Sequence, residues 1–224
     1  MSRGLGDVYK RQVLSRMIFG IRPTLGLAAL TMAGTIGIGA VLGIIAGYFR
    51  GIAEEIIMRI VDVMLSFPSQ IMVFAVVALL GISVQNVIIA NVFIKWAWYA
   101  RMIRTGVMQY RDKNFVQFSR CVGMPERFIL FRHLLPSITS DLAVLASLDI
   151  GWAIINISTL SFLGLGVQAP TPEWGAMLNE AKEVLTSNPT QMLAPGIAIV
   201  ALVCCFNLLG DAMRDVLDQK EVAK

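Results

Sequence analysis

Apolar positions in this chain gather into long runs, separated by short breaks rich in charge, glycine or proline. Runs close to the roughly 20 residues that cross a bilayer core point to membrane-spanning helices. The alternation over ~10-residue segments that marks a transmembrane barrel is missing. Five spans are expected, at about 24–48, 68–80, 84–103, 138–163 and 192–209. In the first, Gly39, Gly43 and Gly47 recur every four residues, a stripe that lets another helix come close. The segment after it, GIAEEIIMRIVDVMLSF, is amphipathic, with Glu54, Glu55, Arg59 and Asp62 near one face. It is expected to lie at the membrane surface or against a neighbour. The second span, opened by Pro68, is short, and the apolar end of this connector is expected to extend it. GLGVQAPTPEWG reads as loop, and a short amphipathic helix is expected over 173–185. The fold class is therefore all-α, a multi-span helical membrane protein.

The break between the third and fourth spans, residues 112–136, is polar and basic yet helix-forming. Its pattern predicts a short helix from Phe115 to Cys121, a bend at Gly123 and a second helix from Pro125 to His133. A bend between two short helices needs a residue free of Cβ. Pro136 is expected to stop the second helix and start the next span. Phe118, Val122 and Met124 would form an exposed ridge able to fill a groove on a partner.

Composition sharpens the class. The chain is 56% hydrophobic and 15% charged, with mean hydropathy +0.70, against about a quarter charged for soluble domains. Its net charge of +4 does not imply nucleic-acid binding, because in membrane proteins an excess of Lys and Arg marks cytoplasmic loops. Arg50, Arg101, Arg104, Arg111, Arg120, Arg132 and Arg214 fall on one side. Only Arg16, Arg22 and Lys182 fall on the other, once the first twelve residues are set aside. Loop 112–136 and the C-terminus are thus expected in the cytoplasm. Residues 1–12 lack the apolar stretch of a signal peptide and read as a non-native head. The permeation domain is then 13–218, with a cytoplasmic tail at 219–224. Five spans leave the native N-terminal end outside, so a sixth, N-terminal span is expected upstream.

Chemistry-bearing residues are few. No GxxxxGK[ST] phosphate loop occurs, so any ATP drive must come from a partner chain. His133, the single histidine, stands beside Arg132 with no nucleophile to serve, and enzymatic activity is not expected. Cys121, Cys204 and Cys205 make no disulfide framework, and the last two are assigned to packing. No metal site or cofactor is expected in this chain. Lys95 and Asp149 each lie about eleven residues into a span, ~16 Å deep, and intramembrane charges are functional candidates. They are expected to face the bundle interior and pair; the rival is that Lys95 extends toward an interface. Asn91, Asn156 and Ser158 share their two helices. Asn156 lies two turns beyond Asp149 on the same face, so this face either lines a pathway or holds the bundle by hydrogen bonds. On the external side, Glu173, Glu180, Lys182 and Glu183 are acidic on balance, and Trp174 suits the membrane interface. The helix there is either a gate or a cap.

The loop also resembles the coupling loop of binding-protein-dependent ABC importer permeases: Glu-Ala-Ala, three residues, Gly, nine residues, Ile-x-Leu-Pro. The matching positions are Gln117, Phe118 and Ser119, then Gly123, then His133, Leu134, Leu135 and Pro136. Spacing, Gly, Leu and Pro agree; the first three positions and the Ile differ, and Gln117 cannot form the ion pair open to glutamate. MRIVDVMLSFPS, WAWYARMIR, LSFLGLGVQAPTPEWGAML and PGIAIVALVCCFNLLGDAMRDVLD are similar to the second permease of dipeptide, oligopeptide and nickel importers. The segments around 86–104 and 145–167 look most like the nickel branch. The resemblance implies a type I ABC permease fold in a bacterial inner membrane. It implies a related second permease as heterodimer partner, two ATP-binding subunits and an external solute-binding protein, with nickel, nickel chelates or short peptides as substrate. The nickel-type histidine after Asp-Ile-Gly is here Trp152, which favours passage of an opine-type or peptide-like chelate over a free ion. An ATP-independent transporter or channel, or a structural scaffold, is the alternative.

Overall fold

The computed structural model describes the backbone of residues 2–222 and the side chains of residues 12–140 and 142–216. It is helical, with no strand among the described residues. The helices are α1 (Ser2–Phe49), α2 (Ile52–Ser66), α3 (Ser69–Leu80), α4 (Val84–Arg111), α5 (Asn114–Cys121) and α6 (Glu126–Phe128). They continue with α7 (Leu135–Phe162), α8 (Trp174–Ala181) and α9 (Thr190–Val222). The expected non-native head falls on α1, whose helix runs back to Ser2; the side chains of residues 1–11 lie outside the described residues. So do those of the expected tail at 219–224, although the backbone of α9 stays helical to Val222.

α1 and α4 form the central pair and run parallel, because the stripe on α1 meets α4 in rising order. A Cβ on Gly39 would stand 2.5 Å from Tyr99 Cβ, one on Gly43 2.6 Å from the Ala100 carbonyl, and one on Gly47 2.8 Å from Val107 Cβ. Each distance is too short for any side chain, so the stripe sets the approach of the backbones. α7 packs antiparallel to both α4 and α9: Lys95 meets Asp149, Gly106 faces Ile138, and Gly210 abuts Leu148. One end of this bundle carries Arg50, Arg111 and α5 and is called the basic end; α8 caps the other.

Three described helices are long and apolar enough to span a membrane: 12–49, 142–162 and 190–216. The α2–α3 pair counts as a fourth only if its break is spanned. The first span thus begins well before the expected residue 24. α4 is long enough but less apolar, and its polar residues Asn91 and Lys95 turn into the protein. The connector does not extend the second span, because α2 and α3 meet at 92°. Pro68 and its predecessor explain the bend: Phe67 is extended (ψ 144°), as residues before proline prefer.

α2 packs Val61, with Ile57, Met58 and Met64, against Trp96, Ala97 and Ala100 of α4. Beside this apolar seam Glu54 accepts from Arg104 Nε at 2.8 Å and is largely covered, while Asp62 pairs with Arg101 at the exposed edge. Ile52, Ile56, Ile60 and Val63 remain exposed on the opposite face. Cys204 and Cys205 are also exposed on α9, so the packing assigned to them does not occur within this chain.

Candidate functional site

At the basic end, α5 stops in a Schellman motif. The Met124 N–H donates to the Ser119 carbonyl (3.0 Å) and the Gly123 N–H to that of Arg120 (2.9 Å). Gly123 sits at φ +81° with open space around its missing Cβ. Glycine is therefore needed for conformation and not for room. Val116, Ile129 and Leu134 bury the underside of the loop, while Tyr48 at the end of α1 lies beneath the guanidiniums of Arg111 and Arg120 at 5.7 and 5.3 Å. With its underside fixed, the loop presents Phe118 (70% exposed), Val122 and Met124 outward. Gln117 is also exposed.

The second half of the loop departs from expectation. Pro136 does not end a helix; the chain continues from Glu126 to Phe162 through a π-helical turn at Ile129–Leu134. Proline has no N–H to give the carbonyl four residues back. A wider turn just before it, with the Leu135 N–H donating to the Leu130 carbonyl, takes up the misfit. The same turn carries His133 back over α5. Its Nε2 is 3.2 Å from Ser119 Oγ, and its ring packs edge-on to Phe115 and Phe128. Ser119 and His133 are two of the positions that differ from the importer pattern, and they touch each other.

At mid-bundle, Lys95 Nζ lies 3.4 Å from Asp149 Oδ2, with the side chains 16% and 19% exposed. A lone charge at the centre of a span costs about 3 kcal/mol, so pairing is the expected state. The contact is an ion pair and not a hydrogen bond, since Oδ2 is buried and accepts none. The Tyr99 hydroxyl is within electrostatic reach of the same carboxylate but also makes no hydrogen bond. Trp152 covers Lys95 Nζ at 3.9 Å and Trp98 at 5.1 Å. Asn156 is buried with neither amide atom partnered among the described residues. Asn91 is buried and donates locally to the Val87 carbonyl. Ser158 leaves this group: its hydroxyl turns the other way and donates to Glu173 (3.2 Å).

Glu173 counted in the sequence only as part of an acidic external segment, and its buried role there was not read. It is fully buried, caps α8 by accepting from the Ala176 N–H (2.9 Å), and accepts from the Thr24 hydroxyl at 3.4 Å. One carboxylate thus joins α1, α7 and α8. Trp174 beside it is no interfacial anchor. It is buried in a slot opened by Gly20, and its indole N–H donates to the Met17 carbonyl (3.0 Å). Gly175 completes the junction, its absent Cβ only 2.3 Å from the Ser158 carbonyl. Further along α8, Arg16 grips Glu180 with two bonds of 2.6 and 2.8 Å. These bonds hold the Glu180 carboxyl below its ordinary range against the opposing effect of burial. A carboxylate depressed in this way stabilises the fold above its unfolded value, and that contribution is lost as pH falls through the folded one. The signal in the sequence was Pro-Glu-Trp-Gly, an acid at a helix start.

The family described as "binding-protein-dependent transport system inner membrane component" matches residues 39–222. The chain is 44% identical over 218 residues to the metal-staphylopine import system permease protein CntC of Staphylococcus aureus, covering 97% of this chain and 75% of that one. It is 38% identical to the dipeptide transport system permease protein DppC of Alkalihalophilus pseudofirmus (96% and 70% covered). Identity is 41% to the glutathione transport system permease protein GsiD of Pectobacterium atrosepticum (96% and 71%). Among solved structures, an inward-facing form of the MetNI methionine ABC transporter superposes with TM-score 0.73 at 19% identity, covering 92% of this chain and 98% of that one. This likeness supports the fold. The chain belongs to the binding-protein-dependent transport system inner membrane component family, as an ABC importer permease of the dipeptide, oligopeptide and nickel type.

Proposed function

We propose that this permease imports small peptide-like molecules or metal chelates, driven by ATP-binding subunits that dock on the ridge of Phe118, Val122 and Met124. The basic end then faces the cytoplasm. A related second permease completes the pathway, and an external solute-binding protein delivers substrate at the α8 end. The observation that carries this reading is the coupling loop: a Gly123 bend that displays an apolar ridge from a buried, hydrogen-bonded base. Such a ridge passes a push from a docked partner into α7, because α5 is tied to the π turn through Ser119 and His133 and that turn runs on into α7. Asp149, Lys95 and Asn156 line the pathway, with Asn91 beside them. The relatives named above import a metal chelate, a dipeptide and glutathione by name, which sets the substrate class proposed here. An ATP-independent mechanism is not favoured for a member of a binding-protein-dependent family.

The test is uptake by the complete transporter, with its second permease, ATPases and binding protein in proteoliposomes. Labelled nickel supplied as a chelate and a labelled dipeptide are compared with and without ATP. ATP-dependent entry of either supports the reading. Nickel entry that ignores excess dipeptide assigns the chelate; dipeptide entry alone assigns the peptide. No ATP-dependent entry of either would remove it.

His133→Ala is expected to loosen the loop without dissolving it. Losing a hydrogen bond of about 1 kcal/mol should lower uptake per ATP hydrolysed roughly fivefold. Ser119→Ala should do the same, and the double variant should be no worse than either single, because the two share one contact. Additive losses in uptake per ATP would show that the pair does not act as a unit.

A further inference from the structure

Lys95 occupies a place built for a cation. Its ammonium sits against the Trp152 face, with Trp98 on a second side and Asp149 on a third. Indole faces attract any ammonium, not lysine's alone. An ion pair kept only to hold helices together is expected to be hydrogen-bonded, because an unmet polar atom is costly where no water reaches. Here Asp149 Oδ2 accepts no hydrogen bond, and both side chains keep some exposure. Lysine's long, flexible stem lets its head move several ångströms without moving the helix. The indoles and the carboxylate are thus set by their helices, while the lysine stem leaves its head room to change partner.

We infer that Lys95, Asp149, Trp98 and Trp152 form a recognition site for amphoteric small molecules bearing both an ammonium and a carboxylate, with Lys95 as the stand-in for the substrate ammonium. This rests on the permease reading above. When substrate enters, Lys95 leaves the indoles for the substrate carboxylate, and the substrate ammonium takes its place against Trp152 and Asp149. Two paired charges become four paired charges, so no charge is stranded in the span at any stage. A molecule with only one of the two groups would strand either Lys95 or Asp149. A neutral molecule has nothing with which to part them. The site thus demands both groups together. Trp152, at the position where the nickel-type pattern has histidine, supplies a face for an ammonium in place of a ligand for a metal.

The decisive variant replaces the pair by apolar residues of similar size, Lys95→Met with Asp149→Leu. Replacing a buried ion pair in this way is commonly neutral or stabilising for the fold. The complete transporter is assayed in proteoliposomes for uptake of labelled glycyl-leucine and of labelled glutathione, each bearing an ammonium and a carboxylate, with thermal unfolding of the purified complex alongside. For a recognition site, the double variant unfolds no earlier than wild type yet loses about tenfold or more of its uptake. Its uptake is then no better than that of either single variant. For a pair that only holds the bundle, the double variant regains wild-type uptake, which overturns the inference while leaving the permease reading intact. Wild-type complex that takes up neither probe overturns that reading and this inference with it. Should the double variant fail to assemble, Lys95→Arg and Asp149→Glu carry the test. KM for glycyl-leucine then rises in each with kcat kept, and an unchanged KM overturns the inference.

Discussion

Gly123→Val is expected to abolish ATP-driven uptake while leaving the amount of permease in the membrane unchanged. The backbone at residue 123 has φ +81°, a region that costs an ordinary L-residue roughly 1–2 kcal/mol and a β-branched one more. No atom stands near the missing Cβ, so the penalty is one of conformation and cannot be relieved by repacking. The chain can escape only by leaving the left-handed conformation. That breaks the bonds from Gly123 and Met124 back to Arg120 and Ser119 and swings the ridge away from its partner. Because the loop lies outside the apolar spans, insertion should not suffer. Gly123→Asn, which tolerates a positive φ, should be distinctly milder. Uptake in proteoliposomes and membrane abundance by immunoblot check both arms. Normal uptake by the valine variant would mean that the loop does not transmit the push.

Glu173→Ala is expected to release α8 from the bundle. It removes the cap of α8, about 1 kcal/mol, and leaves the buried hydroxyls of Thr24 and Ser158 without their acceptor. Each of these two long hydrogen bonds contributes about 1 kcal/mol. A combined loss of about 3 kcal/mol should lower the unfolding temperature in detergent by roughly 5–10 °C. It should also open the segment after α8 to protease. Glu173→Gln keeps one carbonyl acceptor and should lose less. An alanine variant that unfolds and resists protease like wild type would show that Glu173 is only accommodated there, and that Gly20, Gly175 and the Arg16–Glu180 pair hold α8 without it.

What one-dimensional periodicity reports, it reported well. The apolar runs fixed the class and placed α4, α7 and α9 to within a few residues at one end or both. The four-residue glycine stripe found the α1–α4 interface, since residues four apart on a helix share one neighbour. The spacing from Gln117 to Pro136 located the bend at Gly123, because a positive φ is a property of one residue and its immediate turn.

Where the outcome depended on a partner far away in the chain, the sequence was silent or misleading. The amphipathic α2 was open to the membrane surface or to a neighbour; its ion pairs to Arg101 and Arg104, about forty to fifty residues on, tie it to α4. Pro136 looked like a stop, until a π turn one step earlier absorbed it. Ser119 and His133 each read as a lapse from a pattern, and only their contact across the loop makes them a pair. Length and polarity are written along the chain, so the sequence by itself determined most of the helices, the bend at Gly123 and the family. Which polar group meets which was decided only by tertiary structure. Thr24, Ser158 and Glu173, or Lys95 and Trp152, become neighbours through the packing of separate helices, and no local period encodes that meeting.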